Sequence, residues 1–223
     1  MRICIVIPVH NEAQTIGTVV TKIRSRGLDV LVIDDGSIDS SVAIAQEKGA
    51  VVLLNAMRQG KGKTLQRGFK EALGQGYDGV ITMDGDGQHA PEDLEIFMAK
   101  IQQNPMSIVT GSRMENPQGM PFVRFLTNRF MSWLISLICK QRIPDTQCGY
   151  RYIPRVVLEK IPLTCCDFEI ETEVLIKASR LGVKIFSVPV KTIYGQEESK
   201  INPFRDTIRF FAYLWRELWR RQI

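Results

Sequence analysis

The chain has 223 residues, 44% hydrophobic and 24% charged, with a net charge of +5 and a pI near 9.0. This length and composition suit one α/β domain around a large core and exclude a repeat or low-complexity protein. The positive charge favours anionic partners such as nucleotide phosphates, acidic lipid or nucleic acid, without choosing among them. The cysteines at 4, 139, 148, 165 and 166 show neither Cys-x-x-Cys nor Cys/His spacing. They read as reduced thiols in or near the core of a cytosolic protein, not as a disulfide framework or zinc site. The chain opens directly into an apolar strand-like run, with no signal peptide pattern. Its longest nearly apolar stretch, 130–139, is about half of the ~20 residues a bilayer requires, so no membrane span is expected.

Strand-like runs at 3–7, 30–34, 51–54, 79–83 and 107–110 alternate with helical patterns near 13–26, 39–48, 62–74 and 91–103. Such alternation predicts a Rossmann-like, mostly parallel sheet with helices on both faces and ligands at the carboxyl ends of the strands. Each strand runs into polar residues: Pro8 to Glu12, Asp34 to Ser37, Asn55, Asp84 to Asp86, and Gly111 to Arg113. Two acidic clusters and an arginine at one sheet edge point to a site.

In the second of these turns, Ser37 or Asp39 suits a helix N-cap, while Asp35 is one step past its strand and could accept hydrogen bonds from a nucleobase. Residues 58–64 open a helix, so their amides and lysines suit phosphate. Gly62-Lys63-Thr64 matches the end of a phosphate loop, but Met57 stands where the first glycine belongs. A looser diphosphate contact from Arg58 or Lys61 stays open.

The run 80–89 ends on Asp84 and Asp86, which at i and i+2 share one side of an extended chain. Gly85 and Gly87 allow close approach to the backbone. Two hard oxygen anions suit magnesium or manganese that is also held by substrate phosphates; the alternative is a solvated turn. Spacing from Asp84 to Glu95 mimics a calcium loop, yet His89 occupies the position that needs glycine and Pro91 begins a helix.

Residues 119–139 form a nearly all-round apolar helix with Arg124, Asn128 and Arg129 near its start. It reads as core for most of its residues, with a lipid-like ligand as the other reading. A polar turn at 145–151, a Glu-rich helix at 167–181 and a last strand at 184–190 follow. A final helix, 203–221, aligns Phe204, Ile208, Phe211, Trp215 and Leu218, edged by Arg205, Arg209, Arg216 and Arg220. It either anchors on an anionic membrane surface or packs on the domain. The expected division is therefore a domain over 1–202 and a basic amphipathic helix over 203–223.

Together, Pro8-Val9-His10-Asn11-Glu12, Ile33-Asp34-Asp35-Gly36-Ser37, Gly60-Lys61-Gly62, Met83-Asp84-Gly85-Asp86-Gly87-Gln88-His89, Gly111-Ser112-Arg113, Asp145-Thr146-Gln147-Cys148-Gly149-Tyr150-Arg151 and Ser199-Lys200 resemble the family 2 glycosyltransferases. Within that family the chain is similar to the dolichyl-phosphate mannose synthase branch. The resemblance implies a single GT-A-type domain and inverting, metal-dependent transfer of a sugar, mannose or glucose, from a GDP- or UDP-sugar. The acceptor would be a polyprenyl or dolichyl phosphate at the cytoplasmic membrane face, with no nucleic acid involved. It implies Pro8, Asn11, Glu12, Asp35 and Lys61 on the donor, and Asp84 at the ribose or metal. Asp86 and Gln88 would hold Mg2+ or Mn2+, and Arg113, Arg124, Asn128, Arg151 and Lys200 the phosphates. Asp84, Asp86 and Arg113 would carry the catalysis. His10 stands where the family often has Tyr, and Asn128 where a Ser is common.

An acceptor phosphate is already anionic and needs no general base. A hydroxyl acceptor would need one, for which Asp145, Glu171 and Glu173 are candidates. A more remote alternative, a nucleotide hydrolase or kinase, would require Lys63 and Thr64 to serve ATP.

Overall fold

The computed structural model describes residues 1–115, 117, 119–191, 193 and 203–219, without side chains at 203–208 and 218–219. The first half alternates β1 (Ile3–Val9), α1 (Ile16–Arg24), β2 (Asp29–Asp34), α2 (Ser41–Glu47), β3 (Val51–Leu54), α3 (Lys61–Gly74) and β4 (Gly79–Thr82). A 3-10 turn, Pro91–Asp93, leads into α4 (Leu94–Gln103), β5 (Ile108–Ser112), α5 (Phe122–Cys139) and β6 (Arg151–Pro154). The chain then continues through α6 (Arg155–Lys160), α7 (Ile170–Arg180), β7 (Ile185–Pro189) and α8 (Pro203–Trp219).

The seven strands form one sheet in the order β3-β2-β1-β4-β6-β5-β7. Successive residues of β1 feed opposite layers: Cys4 and Val6 pack toward α3, whereas Ile5 and Ile7 pack toward α1 and α4. Burial on both faces is why these strands are apolar runs, not alternating ones. Each covering helix meets the sheet along one stripe, such as Ile16, Val19, Val20 and Ile23 of α1 and Leu65, Phe69 and Ala72 of α3.

Two expectations are corrected, and an alternative left open is narrowed. The turn expected at 145–151 runs into an unexpected strand: β6 is antiparallel to both β4 and β5, with Arg151 opposite Thr82 and Thr110. Because it runs the other way, its first residues emerge at the edge where the parallel strands end, which brings Asp145 to Arg151 to the site.

Second, the apolar segment is one 18-residue helix, Phe122–Cys139, long and apolar enough to cross a membrane by length and composition, with only 22% of it buried. Phe122, Val123, Leu126, Phe130, Trp133 and Leu137 face outward, so most of its bulky residues are not core. Its inner stripe is Asn128, Ser132, Ile135 and Cys139, and the Thr146 amide donates to Ser132 Oγ at 2.9 Å. These partners tie one side of α5 to the domain.

Third, the buried side of α8 is Phe210, Tyr213, Leu214 and Glu217, with Glu217 paired to Arg180 of α7, while Phe211 and Trp215 are exposed. The helix thus packs on the domain through an arc beside the face aligned in the sequence, which keeps Phe211 and Trp215 outward. Phe204, Ile208, Leu218, Arg205 and Arg220 lie outside the described side chains. All five cysteines are free, and Cys166 is exposed.

Candidate active site

A cavity of about 880 Å³ opens at the carboxyl ends of the strands. Pro8 near the end of β1, Glu12 after it, Asp35 after β2, and Asp84, Asp86 and Gln88 after β4 line it. Arg113 after β5 lines it together with Arg124 and Asn128 of α5.

Lys61 lies at the centre of the acidic side. Its Nζ is 2.7 Å from Asp84 Oδ1 and 2.8 Å from Glu171 Oε1. Burial alone would raise the Asp84 pKa, but the Lys61 ammonium outweighs it and holds the carboxyl down to about 2. Asp86 moves the other way, because burial and the neighbouring Asp84 charge both push it up. Gln88 N donates to Asp86 Oδ1 at 2.9 Å. Two crowded carboxylates that resist sharing their charge are stabilised by a cation, so the residues present fit one. Among the described residues no cluster of three or more His, Cys, Asp or Glu could cage an ion. Two carboxylates and an amide suit Mg2+ or Mn2+, which keep positions for substrate oxygens. A Cβ on Gly149 would lie 3.0 Å from both Asp84 Oδ2 and Glu171 Oε1 and would crowd the two carboxylates.

The Asp84 amide donates to His89 Nδ1 at 3.1 Å. His89 stacks on Tyr150, and Tyr150 on Phe97, with centroids 5.3 and 4.3 Å apart. This aromatic column steadies the loop that carries the carboxylates.

Arg113 is gripped by Asp145, with Nε to Oδ2 at 2.7 Å, Nη2 to Oδ1 at 3.0 Å and the Arg113 amide to Oδ2 at 3.1 Å. Burial pushes the Asp145 pKa up, but the guanidinium holds it below the usual carboxylate range. Asp145 is therefore an orienting anion for Arg113, not a base. Glu173, fully buried, accepts hydrogen bonds from the amides of Thr164 and Cys165 and the Thr164 hydroxyl, and pairs with Lys177. It too is removed as a base.

Two further site residues, Arg151 and Asn11, do not line the cavity, and Asp35 lines it with its carboxylate engaged. The Arg151 guanidinium donates to the carbonyls of Cys148, Thr146 and Glu171 and does not line the cavity, so it closes the loop before β6 instead of facing a phosphate. Asn11 staples two loops, its Oδ1 accepting from the Ile38 amide and its own amide donating to Ser37 Oγ, and it does not line the cavity. Asp35 accepts from Gln59 N, Gly60 N and Asn55 Nδ2. Burial raises its pKa, but these donors more than compensate. The carboxylate shapes the loop as well as lining the cavity. Lys200 lies outside the described residues.

The helix N-terminus expected to hold phosphate is capped from within, since the amides of Gly62 and Lys63 both donate to Cys166 O, at 2.7 and 3.2 Å. Thr64 is buried with its hydroxyl on Gly60 O, so the ATP-type loop is excluded. Gln147, Phe168 and Glu169 also line the cavity. They were legible only as neighbours of the 145–151 turn and the start of the Glu-rich helix. Arg209, expected on the stripe that edges the apolar face of α8, lines the cavity and pairs with Asp167 at 2.5 Å.

The family model for glycosyl transferase family 2 matches residues 4–162. The UDP-N-acetylglucosamine–dolichyl-phosphate N-acetylglucosaminyltransferase of Methanococcus voltae is 29% identical, over 87% of this chain and 86% of its own length. A dolichol-phosphate mannosyltransferase of Pyrococcus furiosus is 31% identical over 90% of this chain, which spans 59% of that relative. Among solved structures, glucosyl-3-phosphoglycerate synthase from Mycobacterium tuberculosis, in complex with Mn2+, UDP and glucosyl-3-phosphoglycerate, superposes with a TM-score of 0.69. It is 21% identical, and the match covers 88% of this chain and 73% of that one, a likeness of fold. A GT-A-like sheet, an acid-lined cavity at its carboxyl edge and a family match over most of the chain lead to one conclusion: the chain belongs to glycosyl transferase family 2 and is a nucleotide-sugar glycosyltransferase.

Proposed function

We propose that this enzyme moves a hexose from a nucleotide-diphosphate sugar to a polyprenyl-type phosphate presented at a membrane surface, with inversion at the anomeric carbon. The observation that carries the reading is the make-up of the cavity. Acidic residues at the end of β4 line it together with Arg113 and Arg124, the latter on α5, whose Phe122, Val123 and Leu126 are exposed. Relatives named for transfer to dolichyl phosphate support the acceptor class.

In this reading Pro8, Glu12 and Asp35 hold the nucleoside, and Lys61 contacts the diphosphate. Asp84, Asp86 and Gln88 would hold a divalent cation, which would supply charge neutralisation for a departing diphosphate. Arg113, fixed by Asp145, and Arg124 position the acceptor phosphate. Its oxygen forms the new bond to the anomeric carbon as the bond to the donor phosphate breaks, and the electron pair leaves on the nucleoside diphosphate. No proton has to be removed from such an acceptor. This agrees with the engagement of Asp145, Glu173 and Glu171 in ion pairs. The outward faces of α5 and α8, rich in Phe and Trp, rest in the interfacial layer of the membrane.

Transfer of labelled sugar from GDP-mannose, UDP-glucose and UDP-N-acetylglucosamine, with Mn2+, to a short polyprenyl phosphate and to the matching polyprenol tests the reading. Product on the phosphate alone is expected, with a loss of at least ~100-fold in Asp86→Ala of unchanged circular dichroism. Equal transfer to the alcohol would overturn the acceptor, and normal turnover in Asp86→Ala the metal assignment.

A further inference from the structure

We infer that Lys61 decides when the cation joins the site: its ammonium and a divalent cation compete for the Asp84 carboxylate, and the donor's diphosphate settles the contest by drawing the ammonium away. The inference rests on the diphosphate-sugar reading above and adds an order of binding to it.

Three features of the pocket carry it. The ammonium sits between Asp84 and Glu171, and Asp84 is also one of the two carboxylates suited to a cation. A divalent ion at that carboxylate and an ammonium 2.7 Å from its Oδ1 repel each other. Next, four amides of this loop are already occupied, those of Gly62 and Lys63 by Cys166 O and those of Gln59 and Gly60 by Asp35, so the loop answers the donor chiefly through side chains. Finally, the group is a lysine: a compact charge on a flexible four-carbon stem, able to swing from a carboxylate to a phosphate without moving α3. Glu171 gives it a second anchor, and a Cβ at position 149 would stand 3.2 Å from Nζ, so neighbouring backbone closes in on the ammonium where it bridges the two acids. Cation and diphosphate then bind cooperatively, and the cation alone binds weakly.

The test is Mn2+ binding to the full chain without nucleotide, read by electron paramagnetic resonance of the free ion. Lys61→Met and Lys61→Gln, two shapes of neutral side chain, are expected to bind Mn2+ at least about tenfold more tightly than the wild type. Lys61→Arg, which keeps the charge, should bind no more tightly. Arg58→Met removes a positive charge from the exposed rim of the same cavity and should gain no more than about threefold. A loss of packing alone would not tighten metal binding. Equal or weaker binding in the neutral variants would overturn the inference, as would a gain in Arg58→Met matching theirs, which would reduce the effect to the general field of the cavity. Adding Asp86→Asn to Lys61→Met separates the two levels: if Mn2+ binding then persists, the ion sits elsewhere and the metal assignment itself fails.

Discussion

Replacing Asp145 with Asn keeps the volume of a fully buried side chain and removes its charge. In the wild type its two oxygens receive Arg113 Nε, Arg113 Nη2, the Arg113 amide and the Gln147 amide. Asn turns an NH2 toward part of that ring of donors and leaves a guanidinium that is only 6% exposed without its counter-ion. Removing one partner of a buried pair costs about 3–5 kcal/mol. At about 2–4 °C per kcal/mol for a chain of this size, Tm should fall by about 6–20 °C. Calorimetry and urea titration at pH 7 measure the loss, and a pH series gives its sign. The folded Asp145 pKa lies below its ordinary value, so the stability it contributes is present above an unfolded pKa of about 3.9 and is lost as pH falls through the folded value. The gap between wild type and variant should therefore narrow below about pH 4. A loss under about 1 kcal/mol at pH 7, or a gap that stays constant into acid, would refute the role given to this ion pair.

Gly62→Ala should destabilise by about 2 kcal/mol in urea. Ala is worth about 1 kcal/mol over Gly inside a helix, but the new Cβ would meet the Cys166 carbonyl carbon at 2.6 Å and Asp167 O at 2.8 Å, backbone atoms that cannot rotate away. A more stable variant would show that the loop yields. The pair Phe130→Glu and Trp133→Glu, both on exposed residues, should cut co-sedimentation with anionic liposomes at least about tenfold and leave Tm nearly unchanged. Undiminished binding would remove α5 from the membrane contact.

Legibility followed burial. Strands β1 to β5 showed in the chain because both faces of the central ones are buried, so each became an apolar run with a polar stop. β6 did not show: Arg-Tyr-Ile-Pro is too short and too mixed to read as a strand. Its strand character comes from pairing with β4 on one side and β5 on the other. α5 and α8 were recognised as helices, yet the core reading failed for most bulky residues of α5 and the inward arc of α8 was not read. An all-round apolar helix does not say which side a domain will cover, and α8 carries two apolar arcs, of which Phe210, Tyr213 and Leu214 went inside.

The amino-acid sequence by itself determined the layer pattern, the sheet edge that bears the site, and the paired acids Asp84 and Asp86, because periodicity and strand-end chemistry are local properties. Tertiary structure alone decided which charges remain for substrate. Asp145 is spent on Arg113 and Glu173 on the 164–165 segment, Arg151 is taken up by carbonyls, and Lys61 is shared between Asp84 and Glu171, the latter 110 residues from it in the chain. An ionised group's role depends on the partners within a few ångströms of it, and those partners are brought together only when the chain closes into its fold.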